Sequence, residues 1–172
     1  MAAPAERPVD ARFFQRLQSF NEEMLQKGLT PSTRVLCAEV TGGRPDVAGE
    51  LGLAQDAPLI HLTRLRAADG QPLVVVDTWL PGARFAGLER EDFARDSLYA
   101  LLDARYGVRV DRACRQFEAA DASPEDARLL DMEAGRAVCR VRTLAYCGQE
   151  PVEVSLARYR GDRNSFTVEL YR

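Results

Sequence analysis

The sequence predicts an α+β fold: an antiparallel sheet flanked by helices, with an internal helix–hairpin duplication. Three observations carry that prediction. Short apolar runs are separated by Gly- and Asp-bearing turns in the manner of hairpins. Segments at helical spacing, with capping signals, fall between them. A shift of 79 places lays Leu51, Leu53, Leu59, Leu62, Leu65 and Pro72 onto Leu130, Met132, Val138, Val141, Leu144 and Pro151. Each copy reads helix end, tight loop, strand, Gly-Gln turn and Pro-led strand. Two such hairpins sharing one sheet would leave an apolar face for helices to cover on one side.

The elements follow in order. Phe13, Leu17, Phe20 and Met24 recur at helical spacing, with Gly28 closing the run and Pro31 just beyond. Inside it, Ser19-Phe20-Asn21-Glu22 has the capping-box form, a candidate start for a fresh helix. Residues 33–41 read as a strand, and Asp46–Leu53 as a short helix with Val47 and Leu51 on its apolar side. Strands from Leu59 to Ala67 and from Pro72 to Leu80 flank an Asp69-Gly70 turn. A helix opens near Ser97, carries Leu98, Leu101, Leu102 and Tyr106 as its stripe, and closes at Gly107. Val108–Ala120 reads as a long strand. Ser123 then caps a helix with Pro124 at its first position. Residues 137–147 and 151–160 form the second hairpin, and Ser165–Tyr171 a last strand.

At 172 residues the chain is one domain's worth of protein, and it needs no metal or disulfide framework to build a core. Basic and acidic residues number 23 and 26, giving a net charge of −3. The basic residues are scattered and, apart from Lys27, all arginine, which argues against direct nucleic-acid binding. Cys37, Cys114, Cys139 and Cys147 lack C-x-x-C spacing and His61 is the only histidine, so the sequence argues against a zinc site and implies no cofactor. No apolar run reaches the length of a membrane span, and a soluble, cytoplasmic protein without membrane partners is expected.

Strand side chains two apart share a face. Ile60 and Leu62 therefore lie beside Arg64 and Arg66, an apolar face that becomes doubly cationic. Such a pair grips a phosphate or carboxylate through paired hydrogen bonds, or else reaches solvent and pairs with acids at the strand end. Glu153, Ser155, Ala157 and Tyr159 share a face of the second hairpin. There Glu153 could accept hydrogen bonds from a ligand, or the face could carry ordinary cross-strand pairs. The backbone amides after Ser19 and around Ser97 suit an anion, and both serines serve equally as plain N-caps. His61 is on the other face from the arginines. No nucleophile–base arrangement, Walker A motif or G-x-G-x-x-G is present. Unaided, the residues describe an antiparallel α+β domain with a candidate small-anion site.

A more specific pattern is also present. The stretch Leu65-Arg66-Ala67-Ala68-Asp69-Gly70-Gln71-Pro72-Leu73 resembles the hairpin of the UTRA ligand-sensing domain of GntR-family, HutC-type bacterial transcription regulators. So do Ser97-Leu98-Tyr99 with Tyr106-Gly107, Ala127-Arg128-Leu129-Leu130, and Tyr159-Arg160-Gly161-Asp162-Arg163 followed by Phe166. Leu17-Gln18-Ser19-Phe20 with Gly28-Leu29-Thr30-Pro31 resembles the segment that opens that domain. The similarity runs from about Phe14 to Leu170, and its strength is the order and spacing of the motifs together.

The resemblance implies a chorismate-lyase-like fold with an effector pocket between sheet and helices. It implies no catalytic activity; the alternative from the shared fold is a chorismate-lyase-like enzyme acting on a small carboxylate. The pattern is most similar to regulators of N-acetylglucosamine use, which bind amino sugar 6-phosphates. Carried over by position, Arg64 and Arg66 would hold the anion, with Ser97 and Tyr99 adding hydroxyls. The amides of Ser19, Phe20 and Asn21 would cap it, and Glu153 and Tyr159 would meet the polar remainder. One departure stands out: Val76 replaces a glutamate of the amino sugar sensors, with Asp77 on the other face.

The implied partners are a small anionic metabolite, a second copy in a homodimer, and operator DNA through a winged-helix domain absent from this chain. Residues 1–13 would be the remnant of the linker to that domain and 14–172 the sensing domain. The chain is then either a regulator cut to its effector domain or a stand-alone paralogue.

Overall fold

The computed structural model describes residues 19–166. The expected helical positions Phe13 and Leu17, the segment 1–13 and nearly all of the strand expected at 165–171 lie outside them; Ser165 and Phe166 carry no strand.

The chain runs α1 (Phe20–Gln26), β1 (Pro31–Thr41), α2 (Pro45–Glu50), β2 (Leu59–Ala68) and β3 (Gln71–Pro81). A 3-10 turn at Leu88–Arg90 leads to α3 (Leu98–Tyr106), β4 (Arg112–Asp121), α4 (Pro124–Leu129), β5 (Ala137–Cys147) and β6 (Glu150–Arg160). The strands form one sheet in the order β1-β2-β3-β6-β5-β4, antiparallel at every step. The fold is therefore α+β, as the hairpin pattern predicts. β4 begins later than expected, at Arg112, because residues 107–111 carry the chain from the left-handed Gly107 into the strand.

The duplication is larger than the hairpins suggest. Displacing α2 and β3 by 79 places gives the bounds of α4 and β6, and α1, β1 and β2 fall onto α3, β4 and β5 within two residues. The irregularities repeat as well. The bulge at Arg66/Ala67 matches that at Ala145/Tyr146. Gly82 donates its N–H to the Pro58 carbonyl at 2.8 Å, and Gly161 donates to that of Ala137 at 3.0 Å. A Cβ on either glycine would lie 2.8 or 2.7 Å from the same carbonyl oxygen, a clash that explains glycine at both places. The strand order mirrors about the β3–β6 junction, so an approximate two-fold axis passes there.

The expectation that helices cover one face is corrected. Each repeat contributes one helix to each face. Phe20 and Met24 of α1 pack on Val74, Val141 and Ala157, and Leu98 and Leu102 of α3 pack on Ile60, Leu62, Leu80 and Val152. On the opposite face, Ala127 and Leu130 beside α4 pack on Leu65, Val75 and Val138, while Val47 and Leu51 of α2 meet Leu59, Trp79 and Val154. The short helices cross over: α2 rests against β6 and α4 against β3, each on the central strand of the other repeat. Both faces of the central strands are apolar, so one helical layer could not bury them. Phe85, Leu88 and Phe93, in the connection before α3, complete the cluster beneath α3.

Candidate functional site

On the face covered by α1 and α3, the core is interrupted at the two-fold axis by a cavity of about 110 Å³. Arg64 and Arg66 enter from β2, Glu153 and Tyr159 from β6, Ser97 and Tyr99 from the start of α3, and Ser19 and Phe20 from the start of α1. The structure thus brings eight of the nine sequence-predicted residues to one place, from four elements. Asn21 is the exception: it does not line the cavity.

The two helix starts differ. Ser19 is committed to a complete capping box: its hydroxyl accepts from the Glu22 amide at 3.2 Å, and its own N–H donates to the Glu22 carboxylate at 3.0 Å. The Ser19 amide expected to cap an anion is thereby already used, a correction that follows from the glutamate at N3. Ser97 holds the N-cap position of α3 with no side-chain capping bond, so its hydroxyl remains available at the cavity wall.

The arginines are buried without the partners a guanidinium ordinarily requires. Arg64 is 3% exposed, and its one side-chain hydrogen bond among the described residues is a long 3.3 Å contact from Nη2 to the Thr78 hydroxyl. The Nε of Arg64, the Nε of Arg66 and Oε2 of Glu153 are all buried with no hydrogen-bond partner. Arg66 is steadied from one side by the Phe20 ring, 5.3 Å from the guanidinium. Burial, then the neighbouring Arg66, drives the Arg64 pKa well below its usual value, and burial also lowers that of Arg66. Burial raises the Tyr159 hydroxyl to about 12. Tyr99 is raised by burial first and then by the Glu153 carboxylate, with which it hydrogen-bonds. Both phenols are therefore neutral donors at physiological pH. The cavity offers the guanidiniums of Arg64 and Arg66 from β2 and of Arg115 from β4, with the Glu153 carboxylate on β6 between them and hydroxyls around it.

Further wall residues were not expected as site groups, among them Arg115, Thr143, Val141 and Ser155. Arg115 of β4 and Thr143 of β5 stand opposite each other in register, and Val141 and Ser155 fill the floor. Ser155 had been placed on the correct face, and Thr143 is the repeat counterpart of Arg64. Carrying the 79-place shift through to Arg64 would have found it. Val76 pairs directly with Arg64 across β2 and β3 and lines the cavity, so this departure from the resembled pattern lies beside the guanidinium whose Nε is unpartnered. Asp77 turns to the other face, as alternation requires, and meets His61, Thr63 and Arg158.

Comparison with known proteins agrees with this architecture. The family model described as the UTRA domain matches residues 26–165. The chain is 26% identical over 161 residues to the HTH-type transcriptional repressor NagR of Bacillus subtilis, spanning 93% of this chain and 66% of that protein. It is 32% identical over 170 residues to the HTH-type transcriptional regulator Rv0792c of Mycobacterium tuberculosis, spanning 96% and 62%. The chain therefore covers somewhat less than two thirds of the length of these relatives. Among solved structures, the effector domain of PhnF from Mycobacterium smegmatis superposes with a TM-score of 0.83 at 26% identity, covering 90% of this chain and 95% of that one. No described helix is long and apolar enough to cross a membrane. The chain belongs to the UTRA domain family found in GntR-type regulators of the HutC kind.

Proposed function

We propose that this chain is the effector-sensing part of a GntR-type transcription regulator, and that its cavity takes a small anionic metabolite. A sugar phosphate or amino sugar phosphate is the favoured class, with a carboxylate as the simpler occupant. One observation carries the reading: two buried guanidiniums, each with an unpartnered Nε, share a cavity with an unpartnered carboxylate oxygen. Unsatisfied buried charge is costly unless a ligand completes it. An anion answers the arginines, and hydroxyl or amide hydrogens answer Glu153. Ser97, Thr143 and Ser155 add the short polar groups that a polyol requires.

The size of the cavity bears on mechanism. At about 110 Å³ it accommodates an anionic group but is small for a whole phosphosugar. Binding the larger ligand would spread α1 and α3 from the sheet. Because the start of α1 lines the cavity, its displacement is the proposed output, coupling occupancy to the parts of the regulator that contact operator DNA. A homodimer is the proposed working form; Leu36 and Val40 of edge strand β1 are exposed apolar groups suited to such a contact.

Thermal-shift measurements with sugar phosphates, amino sugar phosphates and dicarboxylates test the reading. A ligand at a hundred times its Kd adds about 2.7 kcal/mol, roughly 5–10 °C in Tm for a domain of this size. Arg64→Ala should sharply reduce the response, in line with a loss of about 10–100-fold in affinity. No shift with any anionic metabolite, or an undiminished shift in the variant, would sink the proposal.

A further inference from the structure

The opposite face of the sheet carries a second constellation, unrelated to the anion cavity. Cys37 and Glu39 lie two apart on β1, and His61 stands directly across from Glu39 on β2. One donor atom from each of the three lies within 4.8 Å of the other two. We propose that Cys37, Glu39 and His61 form a transition-metal site, with Zn²⁺ as the preferred ion and Asp77 as the outer carboxylate that orients the histidine.

Three features of the fold support it. First, β1 carries a bulge between Val35 and Cys37. Val35 faces the anion cavity side with Arg64, so regular alternation would put Cys37 on that side as well. The extra residue turns it instead to the face of Thr63. Bulges commonly re-aim a side chain in this way. The corresponding stretch of β4 pairs with β5 without a register shift, so the bulge is not inherited from the repeat.

Second, His61 is already arranged as a ligand. Its Nε2 meets Asp77 Oδ1 at 2.9 Å, and in the neutral tautomer that donates this bond the lone pair is on Nδ1. Asp77 is held in turn by the Thr63 hydroxyl at 2.6 Å and by Arg158 at 2.6 Å. A carboxylate behind the second ring nitrogen is the usual support of a metal-binding histidine. The Trp79 ring stacks on the imidazole at 5.0 Å and 3°, which fixes its plane.

Third, the donor set suits the ion. Thiolate, imidazole and carboxylate are the three zinc-binding groups, and a tetrahedral site places ligand atoms roughly 3.5 Å apart. Closing from 4.8 Å asks about 1 Å of movement, and Glu39, exposed on an edge strand, can supply it by changing rotamer. Binding would release the Cys37 thiol proton to solvent. Cys37 and His61 both line an open groove of about 770 Å³, so the fourth position would face that groove and take water or a small anion. The C-x-x-C spacing whose absence spoke against zinc brings ligands together along one segment. Cys37, Glu39 and His61 come instead from two paired strands, where proximity is set by register.

The test uses the full chain, reduced and freed of metal. Titration with Co²⁺ should give one equivalent bound and a thiolate-to-cobalt charge-transfer band, displaced by Zn²⁺. Cys37→Ser should remove the band while leaving Cys114, Cys139 and Cys147 in place. His61→Gln and Asp77→Asn should each weaken binding, the latter by about 10–100-fold. A readout that needs no variant is alkylation followed by peptide mass spectrometry: Zn²⁺ should protect Cys37 alone among the four cysteines. No thiolate band, a band that survives in Cys37→Ser, or Cys37 alkylation unaffected by Zn²⁺ would each overturn the site.

Discussion

Arg64 and Arg160 are both buried guanidiniums of one sheet, and the two faces treat them in opposite ways. Arg160 donates from Nε and Nη2 to Asp162 and from Nη1 to the carbonyls of Leu130 and Asp131, at 2.8–3.0 Å. Arg158, on the same face, bridges Asp77 and Asp126. Arg64 has one long hydroxyl contact and an orphaned Nε. Burial is thus a poor guide to purpose. A buried arginine whose donors are all answered by its own chain is architecture; one left unanswered is, under the function proposed above, half of an interaction whose other half would arrive from solution.

This contrast can be broken by experiment. The largest effect should follow Arg160→Met, which leaves two carbonyls and a carboxylate without their partner. A loss of about 3 kcal/mol is expected by urea unfolding, the lower end for a buried pair because Asp162 is partly exposed. Arg64→Met should have the opposite sign in the absence of ligand, neutral or stabilising by about 1 kcal/mol, since it removes a buried charge that nothing repays. The same variant should lose about 10–100-fold in anion affinity by calorimetry, the worth of a charge-assisted bond. If both variants lose stability equally, the distinction between the faces fails.

Val76→Glu sharpens the comparison. Placed directly across from Arg64, a carboxylate would make that arginine resemble Arg158, paired from within. Unliganded Tm should rise, and affinity for inorganic phosphate should fall by about tenfold, the size of one charged hydrogen bond. The smallest effect concerns Glu23 of α1, buried and paired with Lys27. Burial, opposed by Lys27 and Arg115, raises its pKa. The folded state therefore holds this proton more tightly than the unfolded chain. Stability from this group is full below the ordinary glutamate range and is lost as pH rises through the raised value. Glu23→Gln should flatten that decline, seen as a smaller drop in the urea midpoint between acid and neutral pH.

Much of this was legible in the sequence, because strands announce themselves by alternation and their turns by glycine. Asp69-Gly70 and Gly148-Gln149 fixed both hairpins, and the hairpins fixed which residues share a face with Arg64 and with Glu153. The two-sided helical cover was not legible: α2 and α4 are six residues each, too short for an amphipathic stripe to declare a direction. Arg115 escaped for a related reason. It sits on an edge strand whose face is set by pairing with β5, and pairing between distant strands leaves no mark in local periodicity. The bulge at Val35/Cys37 is invisible for the same cause. One extra residue reverses every inference drawn by counting in twos.

The mirrored strand order has a consequence for what the cavity can recognise. Two identical halves around an axis would build a pocket with two equal ends, suited to a ligand that is itself symmetric. Fusion into one chain frees the halves to diverge. Where one half keeps Arg64, the other has Thr143; where one has Val76, the other has Ser155; and Phe20 answers Tyr99. The two ends of the pocket are thus no longer alike, and under the function proposed above an asymmetric molecule would have only one way to lie in it.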